Sequence, residues 1–228
     1  MSVKLILFDF ENTLVRVRID YESIREKVKS FFVEKGLPKN FNFKPILKKI
    51  DEAIVVLKKR GLGEDEGLKK AALKIITQEE CLASQKATLI TGTKSTLKYL
   101  RSKNIMIGIF SRTSEKAIKM TLDKFDLEPF NVLVGRETVL NPKPNPEGIL
   151  FAIDRLHLKP SKIIVVGDHP YDIKAGKKVG AFTIGVLTGL ANKKELTTAG
   201  ADFVLENISD FSRFYEEKFI FNHRNSRL

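Results

Sequence analysis

The chain has 228 residues, of which 43% are hydrophobic, and its 40 Lys and Arg against 28 Asp and Glu give a formal net charge of +12. No apolar run approaches the roughly 18 residues that a membrane span needs, which excludes a membrane-spanning helix. The single cysteine, Cys81, excludes an internal disulfide. The N-terminal residues lack the pattern of a signal peptide, so we expect a cytoplasmic protein without a membrane partner.

The basic charge favours an anionic partner, because the field of a cationic protein attracts anions. The Lys and Arg residues are spread along the chain without a block of five like charges. This spacing disfavours a nucleic-acid partner but leaves it open, and a small anionic substrate fits the charge as well. A solvated, Lys-rich surface would produce the same composition. The sequence carries no signal for an oligomeric state.

The first part of the chain predicts one strand followed by a helical block. An apolar segment from Val3 to Phe8 predicts a buried strand that ends at Asp9. Apolar residues at three- and four-residue steps then predict helices over about 21–33, 45–60 and 65–83. We therefore assign 16–86 to a small all-helical cap domain, inserted after the first strand, and 1–15 with 87–228 to a core domain.

From about Gly92 the pattern alternates between helices and apolar strands. The predicted strands cover 106–110, 131–134, 163–166, 182–186 and 203–205, and helices precede or separate most of them. Continuous apolar strands that alternate with helices predict an α/β fold in which a parallel sheet has helices on both faces.

Polar side chains follow four of the predicted strands. These residues are Asp9, Glu11 and Thr13 after the first strand, Ser111 and Arg112 after 106–110, Lys143 in a Pro-rich loop, and Asp168 and Asp172 after 163–166. The carboxyl ends of parallel strands meet at one crevice, so we expect these side chains to converge. Each residue alone has an ordinary explanation as a cap, a turn or a solvated loop residue. Carboxylates, a hydroxyl and an ammonium group together suit phosphoryl transfer with a hard cation such as Mg²⁺.

The four segments resemble the motifs of the haloacid dehalogenase-like hydrolase superfamily, nearest to its phosphoglycolate-phosphatase-like branch with a helical cap. The matching segments are Asp9-Phe10-Glu11-Asn12-Thr13, Ser111, Lys143-Pro144-Asn145-Pro146, and Gly167-Asp168 with Asp172. The resemblance covers nearly the whole chain, and the position of the helical insert between the first two motifs agrees with it. It implies a Rossmann-like core and a Mg²⁺-dependent phosphomonoesterase acting on a small phosphorylated metabolite.

The resemblance also implies roles for individual residues in catalysis. Asp9 would be the nucleophile, and Glu11 would be the general acid and base. Ser111 and Lys143 would hold the phosphoryl group, and Lys143 would also restrain Asp9. Arg112 follows the hydroxyl residue, where relatives often carry Asn; we assign it to the same phosphate as an additional contact, and a side chain that points to solvent is the alternative.

The metal ligands follow from the same resemblance. Asp9 and Asp168 would bind Mg²⁺ through their carboxylates, and Glu11 would offer its backbone carbonyl. Asp172 would bind the metal directly or support its ligands. This set gives Mg²⁺ as the expected cofactor.

Two residues depart from the first motif. Glu11 stands where the family has Asp, and its extra methylene moves the carboxyl by about a bond length, which can affect the rate because a misplacement of about 1 Å can cost ~10²-fold. Asn12 stands where Gly is usual, and Asn tolerates a left-handed backbone better than most residues. Two alternatives stay open: a phosphatase for nucleotides or nucleic-acid ends, and a catalytically weak relative that binds a phosphorylated ligand.

Overall fold

A computed structural model describes residues 3–62, 65–127 and 129–221 of the chain. The chain divides into two compact units, Met1–Val17 with Ala87–Leu228, and Arg18–Lys86. In chain order the elements are β1 (Leu5–Phe8), β2 (Val15–Arg16), α1 (Tyr21–Glu34), α2 (Ile46–Lys59), α3 (Asp65–Gln85), β3 (Thr88–Leu89), α4 (Thr93–Ser102), β4 (Met106–Phe110), α5 (Glu115–Phe125), β5 (Val132–Val134), α6 (Glu147–Arg155), β6 (Ile163–Gly167), α7 (Pro170–Lys178), β7 (Phe182–Val186), α8 (Lys193–Thr198), β8 (Phe203–Leu205) and α9 (Phe211–Tyr215). Short turns of 3₁₀ helix cover Arg136–Thr138, Pro160–Lys162 and Ile208–Asp210, and a π-helical segment covers Glu216–Phe221.

The first unit is built on a six-stranded parallel sheet in the order β5-β4-β1-β6-β7-β8. All four residues of β1 are buried, as are those of β6, because helices cover the sheet on both faces. The sheet and its helices confirm the predicted α/β, Rossmann-like fold. From β1 the chain proceeds to β4 and β5 on one side and later to β6, β7 and β8 on the other. The carboxyl end of β1 is therefore the switch point where such sheets bind ligands.

The core of this unit is an apolar layer between the sheet and its helices. Leu5 and Leu7 of β1 are fully buried there, together with Val165 of β6 and with Ile149 of α6. Because alternate residues of a strand face opposite sides of the sheet, Leu5 and Leu7 pack on one face. Phe8 on the other face makes an edge-to-face contact with Phe211, whose ring centre is 5.8 Å away. The rigid centre of the sheet thus fixes the tip of β1.

The second unit, Arg18–Lys86, consists of α1, α2 and α3, as the periodicity predicts. Helix α1 begins after Asp20, whose side chain accepts hydrogen bonds from the backbone N–H groups of Glu22 and Ser23. Its buried residues recur one turn apart, at Ile24, Val28 and Phe32. Within the described residues, no helix combines the length and the apolar character needed to cross a membrane.

Some small elements were not predicted. β2 and β3 form a two-residue antiparallel ladder, which is too short to show any periodicity. α8 has six residues, and Leu196 is the one of them that is buried, so it presents no apolar stripe to recognise. The sequence reasoning also left α9 unassigned.

Candidate active site

Asp9 lies directly at the carboxyl end of β1. Its backbone N–H donates a hydrogen bond to the carbonyl of Val166 on β6, with an N–O distance of 2.7 Å. This bond continues the sheet by one residue, so the backbone of Asp9 is held as firmly as a strand. The residue as a whole is 8% exposed. A carboxylate is therefore fixed at the switch point of the sheet and is nearly buried.

Lys143 places a buried ammonium group between two carboxylates. Its Nζ contacts Oδ1 of Asp9 and lies 2.5 Å from Oδ1 of Asp172. Burial by itself lowers the pKa of Lys143, but the charges of Asp172 and Asp9 outweigh it, and the net effect raises the pKa. The lysine is thus held in its charged form. The structure thus brings Lys143 and Asp9 into contact, and the restraining role that the family resemblance implies for Lys143 stays a prediction.

Asp172 is committed through both of its oxygens. Oδ1 binds Lys143, and Oδ2 accepts a hydrogen bond from the backbone N–H of His169 at 3.0 Å. Gly167 makes room for it, because a Cβ at that position would lie 2.4 Å from the Asp172 carboxyl. Burial raises the pKa of Asp172 to about 6, against the opposing pull of Lys143. In this geometry Asp172 orients Lys143. Because both of its oxygens are already hydrogen-bonded, Asp172 is placed to support a cation site from outside rather than to bind the cation directly.

Asp168 completes a group that we call the carboxylate cluster: Asp9, Asp168 and Asp172. One oxygen from each lies within 4.8 Å of the others. The hydroxyl of Thr13 lies 3.5 Å from Oδ2 of Asp9 and 3.4 Å from Oδ1 of Asp168, so it joins the two acids. Burial raises the pKa of Asp168 to about 8, and repulsion from Asp9 and Asp172 adds to the shift.

The carboxylate cluster fits a divalent cation by the chemistry of its donors. Three buried carboxylates lie beside the ammonium group of Lys143, the one that the described residues pair with them, so the ionised cluster carries an excess of negative charge. Burial, and next repulsion from Asp9 and Asp172, raise the pKa of Asp168, so its ionised form is unfavourable unless a cation offsets the charge. Oxygen ligands of this kind are those that Mg²⁺ prefers. Asp9 and Asp168 are the members with the most freedom to bind it, because Asp172 is fully engaged.

Glu11 lies in a tight turn after β1. Asn12 adopts the left-handed conformation with φ of 57°, and its carbonyl accepts a hydrogen bond from the Thr188 hydroxyl. The expected tolerance of Asn for this backbone is therefore used here. The Glu11 carboxylate accepts a hydrogen bond from the hydroxyl of Thr113.

Ser111 follows β4, and its backbone N–H donates to the carbonyl of Val134 on β5 at 2.8 Å. Its hydroxyl donates to Oγ1 of Thr113 at 3.2 Å and accepts from the Thr113 backbone N–H at 3.2 Å. Ser111 and Glu11, which come from different strand ends, are thus linked through one residue. The sequence reasoning missed Thr113, although its place two residues after a predicted phosphate ligand was a signal.

Arg112 lies apart from these contacts. Its side chain is exposed, and its guanidinium carbon is 5.8 Å from the centre of the Tyr171 ring, which in turn packs on His169 at 4.4 Å. Among the described residues, no hydrogen bond or ion pair joins Arg112 to the carboxylate cluster. Burial, and next the charge of Arg112, lower the pKa of His169. The assignment of Arg112 to the phosphate therefore stays a prediction.

Two residues of the loop after β7 also shape the site. Thr188 binds the turn at Asn12, and Gly189 lies against Asp168, since a Cβ there would be 1.7 Å from Oδ2 of Asp168. No side chain larger than hydrogen fits at Gly189 while Asp168 keeps its position. Neither residue belongs to a motif, and the sequence alone gave no signal for them.

The fold and this arrangement of side chains define the class of protein. Residues 6–186 match the family model described as haloacid dehalogenase-like hydrolase. The match covers more than half of the chain. The protein therefore belongs to the haloacid dehalogenase-like hydrolases, which confirms the resemblance inferred from the four motifs.

Two relatives named as pyrophosphatases are similar to this chain over different lengths. The pyrophosphatase PpaX of Listeria welshimeri is 35% identical over 124 residues, which cover 52% of this chain and 55% of that protein. The chain thus spans about half the length of the Listeria relatives that it matches. The pyrophosphatase PpaX of Oceanobacillus iheyensis is 25% identical over 230 residues, covering 96% of this chain and 100% of that protein.

A solved structure shows the same fold over the chain. It is that of a predicted phosphoglycolate phosphatase from Haemophilus somnus, with a TM-score of 0.63 and 19% identity, and it covers 94% of this chain and 98% of that one. At this identity the likeness concerns the fold alone.

Proposed function

We propose that this protein is a Mg²⁺-dependent phosphomonoesterase that cleaves a small phosphorylated metabolite through an aspartyl-phosphate on Asp9. The observation that carries the proposal is the buried ammonium of Lys143, which bridges Asp9 and Asp172 beside Asp168. A candidate nucleophile, a candidate phosphate contact and candidate cation ligands thus lie in one small volume. Membership of a hydrolase family supports this reading.

The cation would be held by Asp9 and Asp168, with the backbone carbonyl of Glu11 as a further oxygen ligand. When bound, Mg²⁺ neutralises charge on the carboxylates and on the phosphoryl oxygens. Asp172 would support the site indirectly, by holding Lys143 in place. The residues that would perform the chemistry all lie in the unit Met1–Val17 with Ala87–Leu228. In this proposal the segment 16–86 is a cap domain that contributes to the choice of substrate.

The chain's own groups supply each step of the reaction. An oxygen of the Asp9 carboxylate attacks phosphorus, and the bond from phosphorus to the leaving oxygen breaks while Glu11 gives that oxygen a proton. Glu11, now a carboxylate, takes a proton from water as the water oxygen attacks phosphorus. The Asp9–phosphorus bond then breaks and releases inorganic phosphate. The Ser111 hydroxyl and the Lys143 ammonium donate hydrogen bonds to the phosphoryl oxygens throughout.

Inorganic pyrophosphate is the second candidate substrate, because the relatives from Listeria and Oceanobacillus are named as pyrophosphatases. Its leaving group is itself a phosphate, which needs less protonation than an alkoxide. Cleavage of pyrophosphate would therefore depend less on Glu11 than cleavage of an alkyl phosphate does.

The test is a screen for phosphate release from small phosphorylated metabolites, pyrophosphate, nucleotides and an aryl phosphate, with Mg²⁺ and with excess chelator. We expect turnover of at least one small substrate with Mg²⁺ and none with chelator. Release from nucleotides or nucleic-acid ends alone would favour a phosphatase for nucleotides or nucleic-acid ends. Binding of phosphorylated ligands without any turnover would favour the catalytically weak relative.

The substitution Glu11→Gln tests the acid and base. It preserves the backbone carbonyl but removes the transferable proton, so turnover of an alkyl phosphate should fall on the order of 10²–10⁴-fold. The loss should be much smaller for an aryl phosphate, whose leaving group needs little protonation. Equal and small losses on both substrates would remove Glu11 from proton transfer.

A further inference from the structure

Thr113 makes a contact that connects two parts of the candidate site. It lies three residues past the end of β4, is 5% exposed, and belongs to no motif of the family. Its hydroxyl donates a hydrogen bond to Oε1 of Glu11, although 102 positions separate the two residues. A buried hydroxyl so placed restricts where the Glu11 carboxylate can lie.

The hydrogen bonds around Thr113 form a chain of donors and acceptors that leads from Ser111 to Glu11. The Thr113 backbone N–H donates to Oγ of Ser111, and the Ser111 hydroxyl donates to Oγ1 of Thr113. A threonine hydroxyl has one proton. In this structure the Ser111 hydroxyl donates to Oγ1 of Thr113, and the single Thr113 proton goes to Glu11; when Ser111 donates to a bound phosphate instead, the Thr113 backbone N–H still bonds to Oγ of Ser111. The orientation of Thr113 is therefore set from the side of the predicted phosphate ligand.

The length of Glu11 matters for this contact. A glutamate has one methylene more than the family's aspartate, so an aspartate in the same backbone position would hold its carboxyl about 1.5 Å further back, one carbon–carbon bond. The longer side chain also has an additional rotatable bond and more rotamers to lose on ordering. Thr113 supplies the partner that selects one of them, and its own β-branched side chain is stiff.

Resting on the proposed function, we infer that Thr113 is the positioning residue for Glu11, and that the pair replaces the aspartate of the family's motif. Thr113 does not touch the substrate in this role; it holds the acid and base at the reacting oxygen. The pairing also predicts the effect on the rate of placing the family's aspartate at position 11. Glu11→Asp should lower the rate in this chain, because the shorter side chain loses Thr113.

The first experiment compares three threonine variants. Thr113→Val keeps the shape and removes the donor, and Thr113→Ser keeps the donor. Thr121→Val is the matched control, because Thr121 is also buried in this unit but donates to the carbonyl of Ala117 at 3.0 Å, within α5. All three are assayed with an alkyl and an aryl phosphate.

We expect Thr113→Val to lower kcat on the alkyl phosphate by about 10–100-fold, as for a catalytic group misplaced by about 1 Å, and on the aryl phosphate by less than about threefold. Thr113→Ser should stay within about threefold of the wild type on both substrates, and Thr121→Val should match the wild type. An equal loss on both substrates in Thr113→Val would overturn the inference, because it would report general damage.

A double-mutant cycle tests the pairing. In the Glu11→Asp background, Thr113→Val should cost less than about threefold, since the contact is already lost. Additive losses in the cycle would contradict the pairing.

A structural measurement separates this inference from the proposed function. In crystal structures of Thr113→Val, the Glu11 carboxylate should leave its wild-type position or occupy more than one rotamer, and in Thr113→Ser it should stay. If Glu11 keeps its place in Thr113→Val, the inference is wrong even for an active enzyme. If the wild type turns over no phosphate compound, the proposed function fails, and the position of Glu11 in these crystals still decides whether Thr113 holds it.

Discussion

An ion pair in one compact unit and the charged cluster in the other lie in opposite environments, although the helical unit also buries one acid, Glu80, which is 3% exposed. In the helical unit, Arg18–Lys86, the core cluster is made of hydrophobic side chains, and the ion pair between Lys69 and Asp51 at 2.7 Å is about half exposed on both sides. The other unit buries Lys143 with Asp9 and Asp172, and their side chains are 3%, 11% and 3% exposed. Similar residue types thus occupy opposite environments in one chain.

The difference indicates which charges are candidates for chemistry. Removing charges from water costs several kcal/mol per ion, and a buried pair only partly recovers it. Apolar residues of the same volume would often stabilise such a site better. A buried group of three carboxylates with one ammonium is therefore poorly explained by stability and well explained by a reaction that needs it. The exposed pair of the helical unit needs no such explanation, because it costs and contributes little.

The largest expected effect comes from Asp9. Asp9→Asn should reduce turnover of alkyl and aryl phosphates to the background rate, because both require the nucleophile. Asp51→Asn, in the exposed pair, should leave turnover unchanged. Phosphate release in the presence of Mg²⁺ measures both. Residual turnover of Asp9→Asn well above background would assign the nucleophile to another group.

The buried Lys143 and the exposed Lys69 should contribute different amounts to the free energy of unfolding. Lys143→Met leaves buried carboxylates uncompensated, and breaking a buried pair in this way costs about 3–5 kcal/mol. Lys69→Met breaks an exposed pair and should cost about 0–1 kcal/mol. Urea unfolding of both variants in chelator gives the comparison. Equal costs would show that the burial of Lys143 has no energetic consequence.

Stability without a divalent cation should fall as the pH rises from about 4 to about 8. Burial, with repulsion from Asp9 and Asp172, raises the pKa of Asp168 from 3.8 to about 8. Between these values the folded state binds more protons than the unfolded chain, so a rising pH favours unfolding, by at most about 1.4 kcal/mol per pH unit for one proton. Unfolding in chelator at several pH values measures the slope.

The control for this slope is Asp168→Asn, which should flatten it, because an amide does not titrate. Mg²⁺ should stabilise the wild type more at about pH 8 than at about pH 5, since protons compete with the cation for the same oxygens. A slope that survives in Asp168→Asn would assign the titration elsewhere.

The smallest effects concern two glycines. Gly189→Ala would bring a Cβ to 1.7 Å from Asp168, so the carboxylate or the loop must shift, and the rise in melting temperature on adding Mg²⁺ should shrink. A Cβ at Gly67 in α3 would meet no atom within 4 Å outside the helix's own backbone, and Gly67→Ala should stabilise the protein by about 0.5–1 kcal/mol without affecting the response to Mg²⁺. Thermal unfolding with and without Mg²⁺ distinguishes them. An unchanged Mg²⁺ response in Gly189→Ala would mean that Asp168 tolerates displacement.

Much of the fold and of the candidate site followed from local patterns. A run of apolar residues that ends in an acid, as at Asp9 and Asp168, marks a buried strand and its tip, and parallel strands bring their tips to one edge. The order of motifs then led to the family. The sequence did not predict the short ladder of β2 and β3 or the polar helix α8, because neither is long enough to show a hydrophobic period.

The sequence by itself determined the class of fold and which residue types reach the edge of the sheet, since both depend on hydrophobic periodicity within single elements. Only the tertiary structure decided the partners. Lys143 binds Asp172 across 29 positions, Thr113 binds Glu11 across 102, and Gly189 gives room to Asp168. These contacts depend on the order β4-β1-β6-β7 and on the path of the loops between the strands. Side-chain reach of a few ångströms is set by that path, and no local pattern encodes it.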